Sequence, residues 1–278
     1  MTNLIKVDLK RILKDKLFLI TIIIAVAFAF LTPLLYLVLF NVLEFEIEGP
    51  GLETIGFNVS SKTLLFSAFS LSNNFGMILP IFISVIICKD FSYGTIRNKI
   101  ICGNSRSKIF LSMFISSCII LCGVILAHAL LTFGVSSIFF DYQEGAFTYD
   151  DFLYLIESIG LQMLVFIFIA AMISLFCTIA KNAGLSIVMN IAVMLGSTLI
   201  VSILSIFVPV LEVMSDNQAL VDVLNFVLDI NVFGINMNVG LTQSYELTKA
   251  ITYIVAMTSQ TALLIFLGLL NFNKKDLK

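Results

Sequence analysis

KDFSYGTIRNKIICGNSRSK, residues 89–108, is a polar and basic interruption between two long apolar runs. Read as a link between two membrane spans, it sets the direction of everything around it. Gly94-Thr95 opens a short helix, and its small residues leave room for a neighbour to approach. Ile96, Ile100 and Ile101 are expected to face the membrane or a protein groove, with Arg97, Asn98 and Lys99 pointing elsewhere. Gly103 is placed as a helix C-cap. Asn104 or Ser105 then caps the next helix, with Arg106 and Lys108 at the membrane interface. An ordinary positively charged loop has the same composition, so the wider pattern must decide.

Composition settles the class. Hydrophobic residues make up 59% of the 278 positions and charged residues 12%. Soluble domains carry charge on roughly a quarter of their residues, so this is an all-α, polytopic membrane protein. The first apolar run, 17–43, is far longer than the about 7–15 residues of a signal-peptide core, and no small-residue cleavage site follows it. It reads as a retained span. The five cysteines, Cys88, Cys102, Cys118, Cys122 and Cys177, are odd in number and none falls in an outside loop, so no disulfide framework is implied. Cys118 and Cys122 sit four apart with no His, Asp or Glu beside them and read as packing residues.

Residues 1–16 carry Ile5, Leu9, Ile12 and Leu13 on one helical face and the row Lys6, Lys10, Lys14 on another. Arg11 is spaced to pair with Asp8 and Asp15. Such a helix beds its apolar side in the membrane interface and holds its lysines near anionic headgroups. Six spans follow, at 17–43, 66–88, 109–133, 152–179, 183–208 and 251–270, each having or exceeding the roughly 20 apolar residues a crossing needs. Pro33 predicts a kink in the first. A tight turn at Lys181-Asn182 separates the fourth and fifth. Thr148 and Asp151 are placed to cap the fourth. The segment 211–249 is too long for a simple loop. Its stretch ALVDVLNFVLDINVFGI is too polar and short to cross, and reads as a helix lying in the outer interface or re-entering from outside.

Charge orients the chain. With the N-terminus inside, all but Lys62 and Lys249 of the 16 Lys and Arg fall on the cytoplasmic side. Asp8, Asp15, Asp90 and Asp276 are the acids there, and the rest of the 18 lie outside or at outer span ends. That asymmetry in short loops is the positive-inside signal. Both termini are therefore expected in the cytoplasm. The near-neutral total of −2 hides two oppositely charged faces and implies no nucleic-acid partner.

The spans carry little chemistry. His128 lies well inside the third and Glu157 near the outer end of the fourth, and no span holds a central Asp, Glu, Lys or Arg. Ion-coupled carriers usually need such groups, so self-powered transport through His128 is a lesser alternative. There is no H-E-x-x-H, no facing pair of aspartates and no G-x-S-x-G with a partner His, which disfavours intramembrane proteolysis. No G-x-x-x-x-G-K-[ST] occurs, so the chain holds no P-loop for ATP. No cofactor, metal or catalytic residue is read from the sequence. Ser70, Ser72, Asn73 and Asn74 near the outer end of the second span, with Asn190 and Ser197 in the fifth, serve either interhelical hydrogen bonding or the lining of a substrate route.

The ordered set Asp90, Tyr93, Gly94, Thr95, a basic helix, then Gly103, Ser105 and Arg106 resembles the ABC-2 type permeases. The whole-chain plan is similar too, and its compact size looks like that of the bacteriocin-immunity and bacitracin-type permeases. The residue-level match is confined to 89–108. Family members often carry a Lys soon after the Ser-Arg, where this chain reads Ile109-Phe110-Leu111-Ser112-Met113. The resemblance implies that 89–108 is a coupling helix docking on a separate ATPase subunit. Two permease subunits, identical or related, would then pair in a bacterial cytoplasmic membrane. The implied function is ATP-driven export, with an amphipathic antimicrobial peptide or a hydrophobic, lipid-like drug as the expected substrate. A non-transporting membrane sensor or assembly component is the alternative.

Overall fold

The computed structural model describes residues 1–46, 60–71, 74–142, 148–180, 182–214, 218–241 and 247–274. Every element among them is an α-helix: α1 Thr2–Leu13, α2 Lys16–Glu46, α3 Ser61–Phe69, α4 Asn74–Ser92, α5 Thr95–Ile101, α6 Arg106–Ser136, α7 Tyr149–Ala180, α8 Ala183–Met214, α9 Gln218–Ile230, α10 Val232–Leu241 and α11 Leu247–Lys274. Six of these, α2, α4, α6, α7, α8 and α11, are long and apolar enough to cross a membrane. The chain is a multi-pass membrane protein.

The most buried of the six crossing helices is α7, enclosed by α4, α6, α8, α10 and α11. Around it, α2 and α8 leave long apolar faces uncovered, including Leu19, Ile23, Phe30, Leu199, Ile203 and Phe207. Within a bilayer those faces need no protein cover, because lipid tails are as apolar as they are. Pro33 lies inside the continuous α2.

Local chemistry explains the starts of α7 and α8. Thr148 and Asp151 form the expected capping box on α7: Asp151 Oδ2 accepts from Thr148 N–H at 2.9 Å, and Thr148 Oγ1 accepts from Asp151 N–H at 3.3 Å. Asn182 Oδ1 caps α8 by accepting from Leu185 N–H at 2.7 Å, while Lys181 lies outside the described residues.

One span is built differently from expectation. Residues 66–88 do not form a continuous helix. Phe66–Phe69 end the separate short α3, the chain turns extended at Ser70, and the crossing helix α4 starts at Asn74. The break leaves backbone groups unpaired inside the bundle, and Asn236 on α10 satisfies them. Its Oδ1 accepts from Leu71 N–H at 2.9 Å, and its Nδ2 donates to Phe69 O at 3.4 Å and to Gln162 Oε1 at 2.6 Å. Gly76 makes the turn sterically feasible, since the Ser70 carbonyl occupies the place a Cβ would take.

The polypeptide directions settle how α9 and α10 lie. One end of the bundle gathers α1, the start of α2, the end of α4, α5, and the start of α6. Arg106 there donates to Asn273 O at 2.9 Å, so α11 ends at the same, basic end. At the opposite, acidic end, Ser61 N–H donates to Asp141 O at 2.9 Å and Lys62 lies 3.6 Å from Asp151. There α6 finishes and α7 begins. α8 must then climb to the acidic end and α11 start from it. The pair α9–α10, bent by 84°, therefore enters and leaves at one end. Its bend reaches inward: Gln260, midway along α11, donates to Ile230 O at 2.8 Å. Its return leg rises to Tyr154, whose hydroxyl donates to Val239 O at 3.5 Å. Of the two arrangements read for 211–249, this inward-reaching bend is what the re-entrant one expects.

Candidate functional site

The stretch 89–108 folds as a short helix between two left-handed glycines. Gly94, at φ 68°, turns the chain from α4 into α5, and Gly103, at φ 83°, turns it out. Gly103 N–H donates to Ile100 O at 2.9 Å and Asn104 N–H to Lys99 O at 3.2 Å, the paired bonds of a Schellman ending. Of the two residues proposed to cap α6, Ser105 holds the N-cap position without a side-chain bond. Asn104 instead donates its Nδ2 to Lys99 O at 3.0 Å and so completes the end of α5.

Sequence spacing put Lys99 with Arg97 and Asn98, away from the protein. The structure turns it inward: Lys99 is 8% exposed, Asp90 1% and Asp8 2%. Lys99 Nζ donates to Asp8 Oδ1 at 2.6 Å and to Asp90 Oδ2 at 3.1 Å. Arg11 pairs with Asp90 rather than with its helix neighbours. Lys89 Nζ donates to both oxygens of Asp15, at 2.8 and 2.6 Å. Ser112 on α6 donates to Asp8 Oδ2 at 2.7 Å. The pattern is reciprocal. Asp8, Arg11 and Asp15 carry minus, plus, minus; Lys99, Asp90 and Lys89 answer with plus, minus, plus. Two segments far apart in sequence are thus fastened by a charge-neutral cluster.

The cluster gives the N-terminal helix a protein-facing side as well: the face with Asp8 and Ile12 buried packs on α6. Ile5 and Leu9 are half-buried on the adjoining strip, and Lys6, Lys10 and Lys14 remain exposed beyond it. Desolvation pushes the Lys99 ammonium below its ordinary pKa, with Asp8 opposing the shift. Burial alone would raise the Asp15 pKa. The hydrogen bonds from Lys89 and from Leu17 N–H outweigh it and hold the carboxyl below its ordinary value. Because the folded pKa is the lower one, the stability Asp15 adds is present above about pH 4 and is lost as pH falls through the folded value. Asp15→Asn should therefore cost up to about 1 kcal/mol at pH 7, as a partly exposed pair does, and nothing once both forms are protonated. Melting temperatures of the two proteins from pH 7 to pH 3 should converge; a constant gap would refute the assignment.

What remains outward is a compact surface. Tyr93 and Ile101 are 76% and 75% exposed. Arg97, Asn98, Cys102, Gly103 and Ser105 are exposed beside them, and Gly94 and Thr95 are half-exposed at the start of α5. Ile96, by contrast, is buried under the helix and anchors it to the bundle. Arg106 is half-buried and holds α11 through Asn273 O. Asp90 and Lys99 therefore position this surface from beneath, while Tyr93, Arg97, Asn98 and Ile101 form it.

Of the six polar residues read for the spans, only Ser70, Asn190 and Ser197 have described side chains, and these lie apart. Ser72 and Asn73 lie outside the described residues, as does the side chain of Asn74. Ser70 sits at the break before α4. Asn190 is fully buried deeper in the bundle, where its Nδ2 donates to Ser186 O at 2.8 Å and to Ser84 Oγ at 3.3 Å. Ser84 is ten residues along α4 from Asn74, about 15 Å at helical rise. Ser197 is half-buried further along α8. His128 sits 2.9 Å from Ala25 O through Nδ1 and packs on the Phe75 ring at 4.5 Å. A carbonyl only accepts, so Nδ1 carries the proton, and the imidazole ties α6 to α2. Among the described residues, no group of three or more His, Cys, Asp or Glu is gathered as a metal would require.

Sequence reasoning missed Asp8, Arg11, Asp15 and Ser112 as partners of the docking segment, and Gln162 and Asn236 as the clamp on the broken span. The first had a visible signal. Residues 8, 11 and 15 put minus, plus and minus on one helical face, the complement of plus, minus and plus at 89, 90 and 99.

The family model described as "Protein of unknown function (DUF2705)" matches residues 18–278. No curated protein matches the chain.

Proposed function

The chain belongs to that DUF2705 family, whose description assigns no activity, and we propose from the basic-end surface that it is the membrane subunit of an ATP-driven exporter. One observation carries the reading. A short helix, fixed by glycine turns at both ends and fastened beneath by buried ion pairs, presents Tyr93, Arg97, Asn98 and Ile101 to solvent. Exposed aromatic, arginine and aliphatic side chains on a rigid support are the kind of anchors protein partners grip. The chain has no P-loop, so the partner is an ATPase subunit on another chain. The positive-inside pattern supports a cytoplasmic basic end in a bacterial plasma membrane, with both termini on that side.

Force applied at the surface has a defined route. A displacement of α5 is delivered through Lys99 to Asp8 and Ser112, and so to α1 and α6, and through Gly94 to α4. Substrate then moves along faces shared by two permease subunits, with α2 and α8 leaving broad apolar surfaces for such pairing. Spans without central charges suit an amphipathic peptide or a hydrophobic, lipid-like drug.

The test is to coexpress the chain with a candidate P-loop ATPase, co-purify, and measure stimulated ATP hydrolysis. Arg97→Glu should reverse the charge of the surface and weaken the complex at least about tenfold, the scale of a lost hot spot. Gly94→Val should cost about 1–2 kcal/mol of backbone strain at its left-handed position and lower coupling. Gly94→Asn, which tolerates that conformation, should not. Wild-type binding and stimulation in both Arg97→Glu and Gly94→Val would sink the docking reading.

A further inference from the structure

The exposed face of α1 is not used by anything described so far. Lys6, Lys10 and Lys14 recur every four residues and are all exposed. Beside them runs a second strip with the same spacing, Ile5, Leu9 and Leu13, graded from half-buried to 56% exposed. Two residues past Lys14 the chain enters α2, whose exposed Leu19, Ile23 and Phe30 belong in the hydrocarbon. That junction places α1 at headgroup level. A cationic ridge flanked by an apolar strip at that depth complements an anionic lipid surface, each lysine adding about 1 kcal/mol of attraction.

The ridge does not act alone, because the opposite face of the same helix carries Asp8 and Arg11, and Asp15 follows at its end. Those are the three groups that hold Lys99, Asp90 and Lys89. We propose that anionic lipid headgroups bind the Lys6–Lys10–Lys14 ridge and, by fixing α1, hold the 89–102 segment in its docking-ready arrangement. The lipid is thus a regulatory ligand of the surface described above. Its consequence for ATP-driven transport rests on that functional reading, but the lipid effect itself does not. With neutral lipid around it, α1 loses its attraction to the membrane surface, and the buried pairs alone keep α5 in place.

The chain carries its own reporter. Cys102 ends α5 and is exposed, whereas Cys88 and Cys177 are buried and Cys118 and Cys122 are half-buried inside α6. A hydrophilic maleimide on the full chain in nanodiscs therefore reads Cys102, and Cys102→Ser should abolish the signal. With phosphatidylglycerol added to phosphatidylcholine, modification should slow about fivefold, the lower range of coupling between two sites. The triple variant Lys6→Gln, Lys10→Gln, Lys14→Gln should lose that difference, and the triple Lys→Arg variant should keep it. Equal wild-type rates in the two membranes would overturn the proposal. So would an undiminished lipid effect in the Gln variant, which would show only a general influence of surface charge on a thiol. No ATPase is present in the assay, so failure here leaves the docking reading standing, and failure of docking leaves this result standing.

Discussion

Lys99→Met should destabilise the protein by about 3 kcal/mol, the lower figure for breaking a buried ion pair by removing one partner. Lys99 is the shared cation of Asp8 and Asp90. Asp90 keeps Arg11 and Asp8 keeps the Ser112 hydroxyl, which is why the loss sits at the low end. Asp8 nevertheless loses the cation that donates to it while 2% exposed. The same reasoning predicts rescue. Asp8→Asn combined with Lys99→Met removes the orphaned charge and should recover more than half of the loss, since replacing both partners is often close to neutral. Thermal unfolding of the three proteins in one detergent is the measurement. Additive losses in the double variant, or a wild-type melting point in Lys99→Met, would show that the pair is hydrated and does not fasten α1 to α5.

Gly234→Val should cost a similar amount for a different reason. Gly234 lies just past the bend between α9 and α10, where a Cβ would meet the carbonyl oxygen of Leu228. The obstacle is backbone, so no side chain can rotate away and the hairpin itself must open. Overpacking costs about 1–3 kcal/mol, and a rigid obstacle puts this case at the upper end. Opening the hairpin also withdraws Asn236, so hydrogen exchange at the Leu71 amide should accelerate. Gly160→Ala is the control. Nothing lies within 4 Å of a Cβ there, and stability should stay within about 1 kcal/mol of wild type. Unchanged exchange at Leu71 in Gly234→Val would separate the bend from the broken span.

Why some of this was legible and some was not follows from which physics each feature uses. The crossing helices could be read because hydrocarbon thickness demands long apolar runs, and α6, α7 and α8 contain the stretches expected for them. The Thr148–Asp151 cap and the Gly103 ending were legible because cap chemistry is local. The break at Ser70 was not. Leu64, Leu65 and Phe66 look like the start of a span, and what stops the helix is an amide on Asn236, 165 residues away from Leu71. Lys99 misled for a related reason. Helix geometry and charge send a lysine outward unless a buried carboxylate waits for it, and Asp8 is 91 residues distant. Arg97 and Asn98 point outward as read, because exposure follows local polarity, whereas Ile101, read as facing the membrane or a groove, is 75% exposed. The inward members required tertiary partners.

The Asp8 contacts also bear on how the chain is made. During synthesis, α1 and α2 leave the ribosome before any of the groups that satisfy Asp8. Lys99 follows 91 residues later and Ser112 follows 104 residues later. At the roughly 5–20 residues per second of translation, Asp8 and Arg11 wait several seconds or more at the membrane surface. They can close against α5 and α6 only after the second span has been inserted in the correct direction. A chain whose second span entered backwards would leave Lys89, Asp90 and Lys99 on the far side, with α1 unfastened. The cluster therefore acts as an assembly check, completed only when α2 begins, α4 ends and α6 begins on the same side of the membrane.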